Sequence, residues 1–369
     1  MEQKKMIVVV FILLLAQLGN SQDIIPLDTV NWDISSQASY LFENYKGKNT
    51  IYLKGGRISY KDAIFENGTI EFDLFLKEEP AFPGVLFRTV ENDAELFYVR
   101  PHQSGNPDAN QVLPVINGIS AWQLYFGTKY SFAYDYNYDD WTHVKIVVND
   151  NRAQVYLDHS DFPHLSWNLF HLTRQGGISF QGGSRSAVHI ADIKISNQTP
   201  QLKNFSPGER TPFDGLIQEW EISDMFEKEL LNDPSDLFKV IDQRKWGRKI
   251  QVEEGVAANI SRQQFLRNGE SGETVFARIN INSDRDQIKL FQFGYSDDII
   301  AILNKKAIYK GTNRWRSRDY RYLGTIGLFD GIYLDLKKGK NTLLMAVSEN
   351  FGGWLITGKF EDNSGVKIE

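Results

Sequence analysis

The sequence predicts an all-β protein built from two β-sandwiches, the second entered through one or two short helices. Three observations carry this reading. Short segments that alternate apolar and polar residues recur along the chain, separated by turn-forming residues, which is the pattern of antiparallel sandwiches. The 369 residues include no cysteine, so the hydrophobic core must hold a chain of this size without disulfides. A polar, proline-bearing stretch at 197–215 splits the strand-rich segments into two groups of domain size.

Residues 1–21 read as a secretory signal. Lys4 and Lys5 precede an apolar run from Met6 to Leu15, and cleavage is expected near Ser21 or Gln22. The run is well short of the ~20 residues a spanning helix needs, although a retained anchor is the alternative. No later segment is suited to span a bilayer. The expected location is therefore secreted or periplasmic, with no membrane contact after cleavage. The formal charge is −6, and removing residues 1–21 makes it one unit more negative. An acidic, evenly mixed surface argues against nucleic acid as a partner.

In the first domain, 22–196, strands are predicted at Gly68–Leu76, Val85–Thr89, Glu95–Arg100, Trp141–Asn149, Ala153–Leu157, Gly177–Gln181 and Ala187–Ser196. Ile70, Phe72, Leu74 and Leu76 share one face, with Thr69, Glu71, Asp73 and Phe75 on the other. After the connection at 197–215, Glu221–Leu231 places Ile222, Met225, Phe226 and Leu230 on one helical face, with Ser223 as N-cap. The second domain, 216–369, continues with strands at Thr274–Asn280, Gln287–Phe293, Ile299–Leu303, Gly331–Leu336, Asn341–Val347 and Gly353–Phe360.

The stretch Leu96–Phe126 is unlike a core strand, because it crowds Tyr98, Arg100, His102, Gln111, Asn117, Trp122 and Gln123 together. Planar rings stack on sugar rings, while guanidinium and amide groups hydrogen-bond hydroxyls. Carbohydrate is the partner these residue types suggest. Arg88, Tyr98, Arg100 and His102 lie on adjacent predicted strands and are candidates for one concave face. The alternative is a partly exposed strand whose arginines pair with Glu91, Asp93 or Glu95. Trp122 and Gln123 supply either a second platform or a core tryptophan.

Four segments, Phe82–Arg88, Phe97–His102, Gln111–Gly118 and Trp122–Tyr125, resemble concanavalin-like, laminin-G-like jelly rolls of exported bacterial proteins, including the keto-disaccharide hydrolase-like group. The resemblance spans roughly residues 50–196. The stretches Phe293–Asp298, Ile302–Tyr309 and Leu334–Asn341 resemble a galactose-binding-like jelly roll. There Asn304-Lys305-Lys306 stands where that family has Asn-Gly-Lys, so a non-glycine residue occupies a turn that favours positive φ. The two resemblances imply an exported protein that handles polysaccharide by binding it or as part of a hydrolase.

Glu71-Phe72-Asp73 invites comparison with laminarinase-type glycosidases, whose strand carries a second glutamate two or three residues later. Phe75 and Leu76 stand at those positions, so that chemistry is not expected, and Glu71 and Asp73 read as a solvated outer face. In the second domain Arg314, Trp315, Arg316 and Arg318 either grip an anionic polysaccharide or form a loop locked to Asp297, Asp298 and Asp330. No metal site is predicted from His159, His164 and His171, whose spacing is wrong. Calcium held by Asp284, Asp286, Asp297 and Asp298 is the one cofactor worth testing, although the ordered spacing of an EF-hand is absent. The leading expectation is an exported carbohydrate-binding protein. The rivals are a hydrolase or lyase with His102 and Tyr98 as catalytic candidates, and a structural or adhesion subunit.

Overall fold

Alternation along Gly68–Leu76 sets the plane of the first half: Ile70, Phe72, Leu74 and Leu76 are at most 1% exposed and point into a core. The computed structural model describes residues 24–183, 185–233, 235–265, 272–317 and 325–369. The expected signal and its cleavage position lie outside them, as does Arg318. No described helix is long and apolar enough to cross a membrane.

Gly68–Leu76 is the central strand of a seven-stranded antiparallel sheet. The order is Leu165–Asn168, Arg152–Leu157, Asp140–Asn149, Gly68–Leu76, Val188–Ser196, Lys48–Lys54, Ser39–Tyr45. A second seven-stranded sheet lies against it, in the order Trp32–Ile34, Arg57–Tyr60, Gly177–Gln181, Gly84–Val90, Asp93–Val99, Asn110–Ile116, Ile119–Ser120. Between them Trp32, Phe65, Phe72, Phe87, Phe97 and Phe180 are fully buried. Along Asp140–Asn149 the expected alternation holds, with Val144, Ile146 and Val148 fully buried in the core.

The later residues form an eleven-stranded sheet that runs from Lys306–Thr312 through Asp298–Leu303, Gly339–Ser348, Thr274–Ser283 and Glu219–Ile222 to Gln287–Ser296 and Asp330–Leu336. Its two ends share one core. Phe291, Phe293 and Tyr295 from one end cluster with Ile299, Ala301, Met345 and Val347 from the other, a sandwich-like arrangement. Trp354, after Gly352 and Gly353, is fully buried and donates its indole N–H to the Val347 carbonyl at 3.0 Å.

The helix expected over Glu221–Leu231 does not form. Glu219–Ile222 is a strand instead, and Phe226 bridges Thr274 in extended backbone. Ile222 and Phe226 gain more from burial on the sheet than a short isolated helix would offer. The Ser223 hydroxyl donates to the Asp224 carbonyl and accepts the Phe276 N–H, so it caps nothing. Helical backbone comes later, as a 3-10 turn at Lys228–Leu231 and one short α-helix at Leu237–Asp242.

Residues 197–215 contain no strand or helix and lie against both halves, the Phe213 N–H donating to the Gly255 carbonyl of the second at 2.8 Å. Lys203 exchanges bonds with Gln154, and the Arg210 guanidinium sits 4.2 Å from the Phe126 ring centroid. The halves share their cores as well: Val256, Ala257, Ile326 and Leu355 belong to the first cluster, and Ile119 to the second.

Candidate functional site

The polar residues of Leu96–Phe126 are drawn inward. Arg88 is fully buried with φ of 51°, at a bulge in its strand. Its Nε donates to the Glu66 carbonyl at 2.7 Å and one Nη to the Asp150 carbonyl at 2.6 Å. Tyr98 donates to Gln111 Oε1 at 2.6 Å and accepts from Arg100 at 2.6 Å. Gln111 in turn donates to the carbonyls of Trp122 and Tyr125. A buried polar group must find such partners, and here the partners are the protein's own. The strand ends at Val99, so His102 sits in a 3-10 turn, Pro101–Gln103, rather than in parity with Tyr98 and Arg100. Its ring meets Phe82 edge-on at 5.2 Å, and burial, with Arg100 adding, lowers its proton affinity.

Asn117 and Gln123 lie toward the second half. Asn117 donates to the Ser261 carbonyl at 2.6 Å. Gln123 donates to the Phe351 carbonyl at 3.1 Å and accepts the Gly353 N–H at 2.7 Å. Trp122 is half-buried against the first core. The expected face of Arg88, Tyr98, Arg100 and His102 is therefore not assembled at the surface. Sugar-like composition and a buried interface call on the same residue types, and sequence does not separate them.

In the second half, Asp297 accepts the N–H groups of Asn350 and Phe351, while Asp298 pairs with Lys228 and Arg314. The Arg314 Nε donates to Asp298 at 2.9 Å, the Asp298 part of the locked-loop alternative. Arg316 projects into solvent beside Trp315. Asp284 is bonded to Gln287 and Asp286 to the Lys338 N–H, and among the described residues these four aspartates do not form a group whose oxygens lie close enough together to share a metal ion.

The outer face of the sheet centred on Gly68–Leu76 gathers what the sequence left scattered. Pairing with Asp140–Asn149 sets His143 opposite Asp73 and Lys145 opposite Glu71. His143 Nδ1 lies 2.6 Å from Asp73, and its Nε2 lies 3.5 Å from Glu71. Lys48 reaches both Asp73 and Asp192, the latter at 2.7 Å. Burial works against the charge on His143, but the hydrogen bonds it donates to Asp73 and Glu71 outweigh it and push its pKa up to about 9. Asp73 and Glu71 are held below their ordinary range: Glu71 by His143 first, Asp73 by His143 and Lys48 against the cost of burial. His143 thus holds its proton more tightly than a free imidazole, between two carboxylates.

Rings border this charged centre. The exposed His159 imidazole stacks on His143 at 3.9 Å. On the far side Trp141 meets Phe75 at 5.4 Å, and Tyr45 stacks on His189 at 3.8 Å with Tyr52 beside it. The Lys48 ammonium sits 5.0 Å from the Trp141 ring centroid. A partly open groove of about 280 Å³ runs along this face, lined by Glu71, His143, Lys145, Tyr156, His159 and Lys203. Parity alone would have aligned Glu71 and Asp73 on one strand and His143 and Lys145 on another. What sequence lacked was the register between them.

No protein-family model and no curated protein matches the sequence. Among solved structures the chain is similar to a Bacillus subtilis protein of unknown function with a galectin-like fold, at 8% identity and a TM-score of 0.34, over 47% of this chain and 91% of that one. It is similar to the carbohydrate binding module CBM66 from Bacillus subtilis at 14% identity and a TM-score of 0.33, over 45% of this chain and 95% of that one. A Caenorhabditis elegans galectin is 14% identical with a TM-score of 0.26, over 44% of this chain and 99% of that one.

Proposed function

We propose that the protein binds carbohydrate on the outer face of the sheet centred on Gly68–Leu76, as an exported accessory to polysaccharide recognition or use, secreted or periplasmic. The observation that carries this reading is the arrangement of that face: planar rings flank an ion-paired centre beside an open groove. Rings offer apolar faces to the C–H surfaces of a sugar, and the carboxylates and ammonium groups offer acceptors and donors to its hydroxyls. The test is a glycan array on the full chain, with products followed by mass spectrometry. Trp141→Ala is expected to weaken retention about tenfold, the order of one ring contact, with a thermal melt reading the packing lost on Phe75 separately. Retention unchanged in Trp141→Ala and in His159→Ala would refute this face as the site. Turnover of a bound glycan would replace the accessory role with an enzymatic one.

A further inference from the structure

Arg314 and Arg316 flank Trp315 but have different fates. Arg314 is neutralised by Asp298. The Arg316 guanidinium carbon lies 4.2 Å from the Trp315 ring centroid, and among the described residues Arg316 has no carboxylate partner. The first half sends Arg185 to the same ring, at 5.2 Å, and it too lacks a carboxylate partner among the described residues. Both arginines are exposed, and Trp315 is 37% exposed.

Cation–π contact positions a guanidinium without cancelling its charge, so the N–H donors of both side chains stay available. Since both carbons lie close to one ring, the two charges are within about a Debye length, roughly 10 Å at 0.1 M salt, of each other. Two uncompensated cations held that close attract an oxyanion, and the planar fork of each arginine matches one bidentately. The field of Arg185 also reaches His102, where it opposes protonation.

We propose that Arg185 and Arg316, seated on Trp315 where the two halves meet, form a binding site for the sulfate or carboxylate groups of an acidic glycan. The site is separate from the groove and does not depend on the groove's function. The two arginines come from different halves of the chain, and each supplies one of the two charges at the ring.

The experiment measures binding of the full chain to dextran sulfate, polygalacturonate and uncharged dextran. Wild type should retain at least one acidic polymer, with affinity that falls as salt rises, and Arg185→Gln or Arg316→Gln should each weaken it about tenfold. Arg185→Lys with Arg316→Lys keeps the charge but not the fork, and should fall between wild type and the double glutamine variant. Trp141→Ala should leave acidic-polymer binding unchanged, which separates this site from the groove. Equal retention by wild type and the double glutamine variant would overturn the proposal, as would retention of neither acidic polymer. Inorganic sulfate that competes as well as dextran sulfate, at equal sulfate concentration, would overturn a glycan as the source of the anion.

Discussion

His143 owes its charge to its neighbours, and that makes it a pH sensor for the stability of its own sheet. Its pKa rises from 6.5 to about 9 on folding, so the folded state holds the proton more tightly. The stabilisation is complete below pH 6.5 and is lost as pH climbs toward 9. Asp73 and Glu71 work in the opposite sense: their pKa values fall from 3.8 and 4.5, so their share is present above those values and is lost in acid. The cluster is therefore best satisfied between about pH 4.5 and 6.5. In thermal melts against pH, the gap between wild type and His143→Gln should be widest in that window and narrow as pH approaches 9. A gap independent of pH would mean that His143 contributes packing rather than charge. The same residue scale explains why Tyr98 and Gln111 were misleading in sequence. An amide or phenol that satisfies a buried carbonyl is chemically the same group that would greet a sugar.

Strands were the legible elements. Gly68–Leu76 and Gly177–Gln181 are predicted to the residue, because alternation and bounding turns are local properties. Asn110–Ile116 was hidden by Asn110, Gln111 and Pro114, yet all seven of its residues are buried, since strand and interface cover both faces. The false helix at Glu221–Leu231 has the same origin: a helical period existed, and burial on a distant strand overrode it. The hairpin joining Asp298–Leu303 to Lys306–Thr312 shows a local conflict that persists. Asn304 and Lys305 both have positive φ, at 50° and 68°, a geometry suited to Asn-Gly. Lys305→Gly should stabilise the chain by about 1 kcal/mol through relief of that strain, less the few tenths that the exposed pair with Asp242 is worth. The midpoint of urea denaturation checks this, and a lower midpoint would show that glycine's added freedom in the unfolded chain dominates.

At the scale of the whole molecule, two groups of strands were visible in sequence, but their seam was not. The residues that seemed built for a ligand, Asn117 and Gln123 among them, bond across that seam instead. The groove was missed for a related reason, since its register joins Gly68–Leu76 to a strand that begins at Asp140. With apolar residues of the later half inside the first core, the chain should unfold in one calorimetric transition. Gln123→Ala strands the Gly353 N–H and opens a cavity, so it should cost about 2–4 kcal/mol and lower that transition by several degrees. Two separate transitions in the wild type would contradict this coupling.

Sharing a core has a consequence for descent. Sandwich modules that meet through a loose tether can be shuffled between genes, gaining new neighbours without losing their fold. Here a recombination break at 197–215 would leave Val256, Ala257, Ile326 and Leu355 without their cover on one side and bare the polar network around Gln123 on the other. The two halves are therefore bound to be inherited as one unit. A substitution on either side of the seam selects for its complement on the other, and paired changes between residues 117–130 and 253–261 or 351–355 are the trace that such a history would leave.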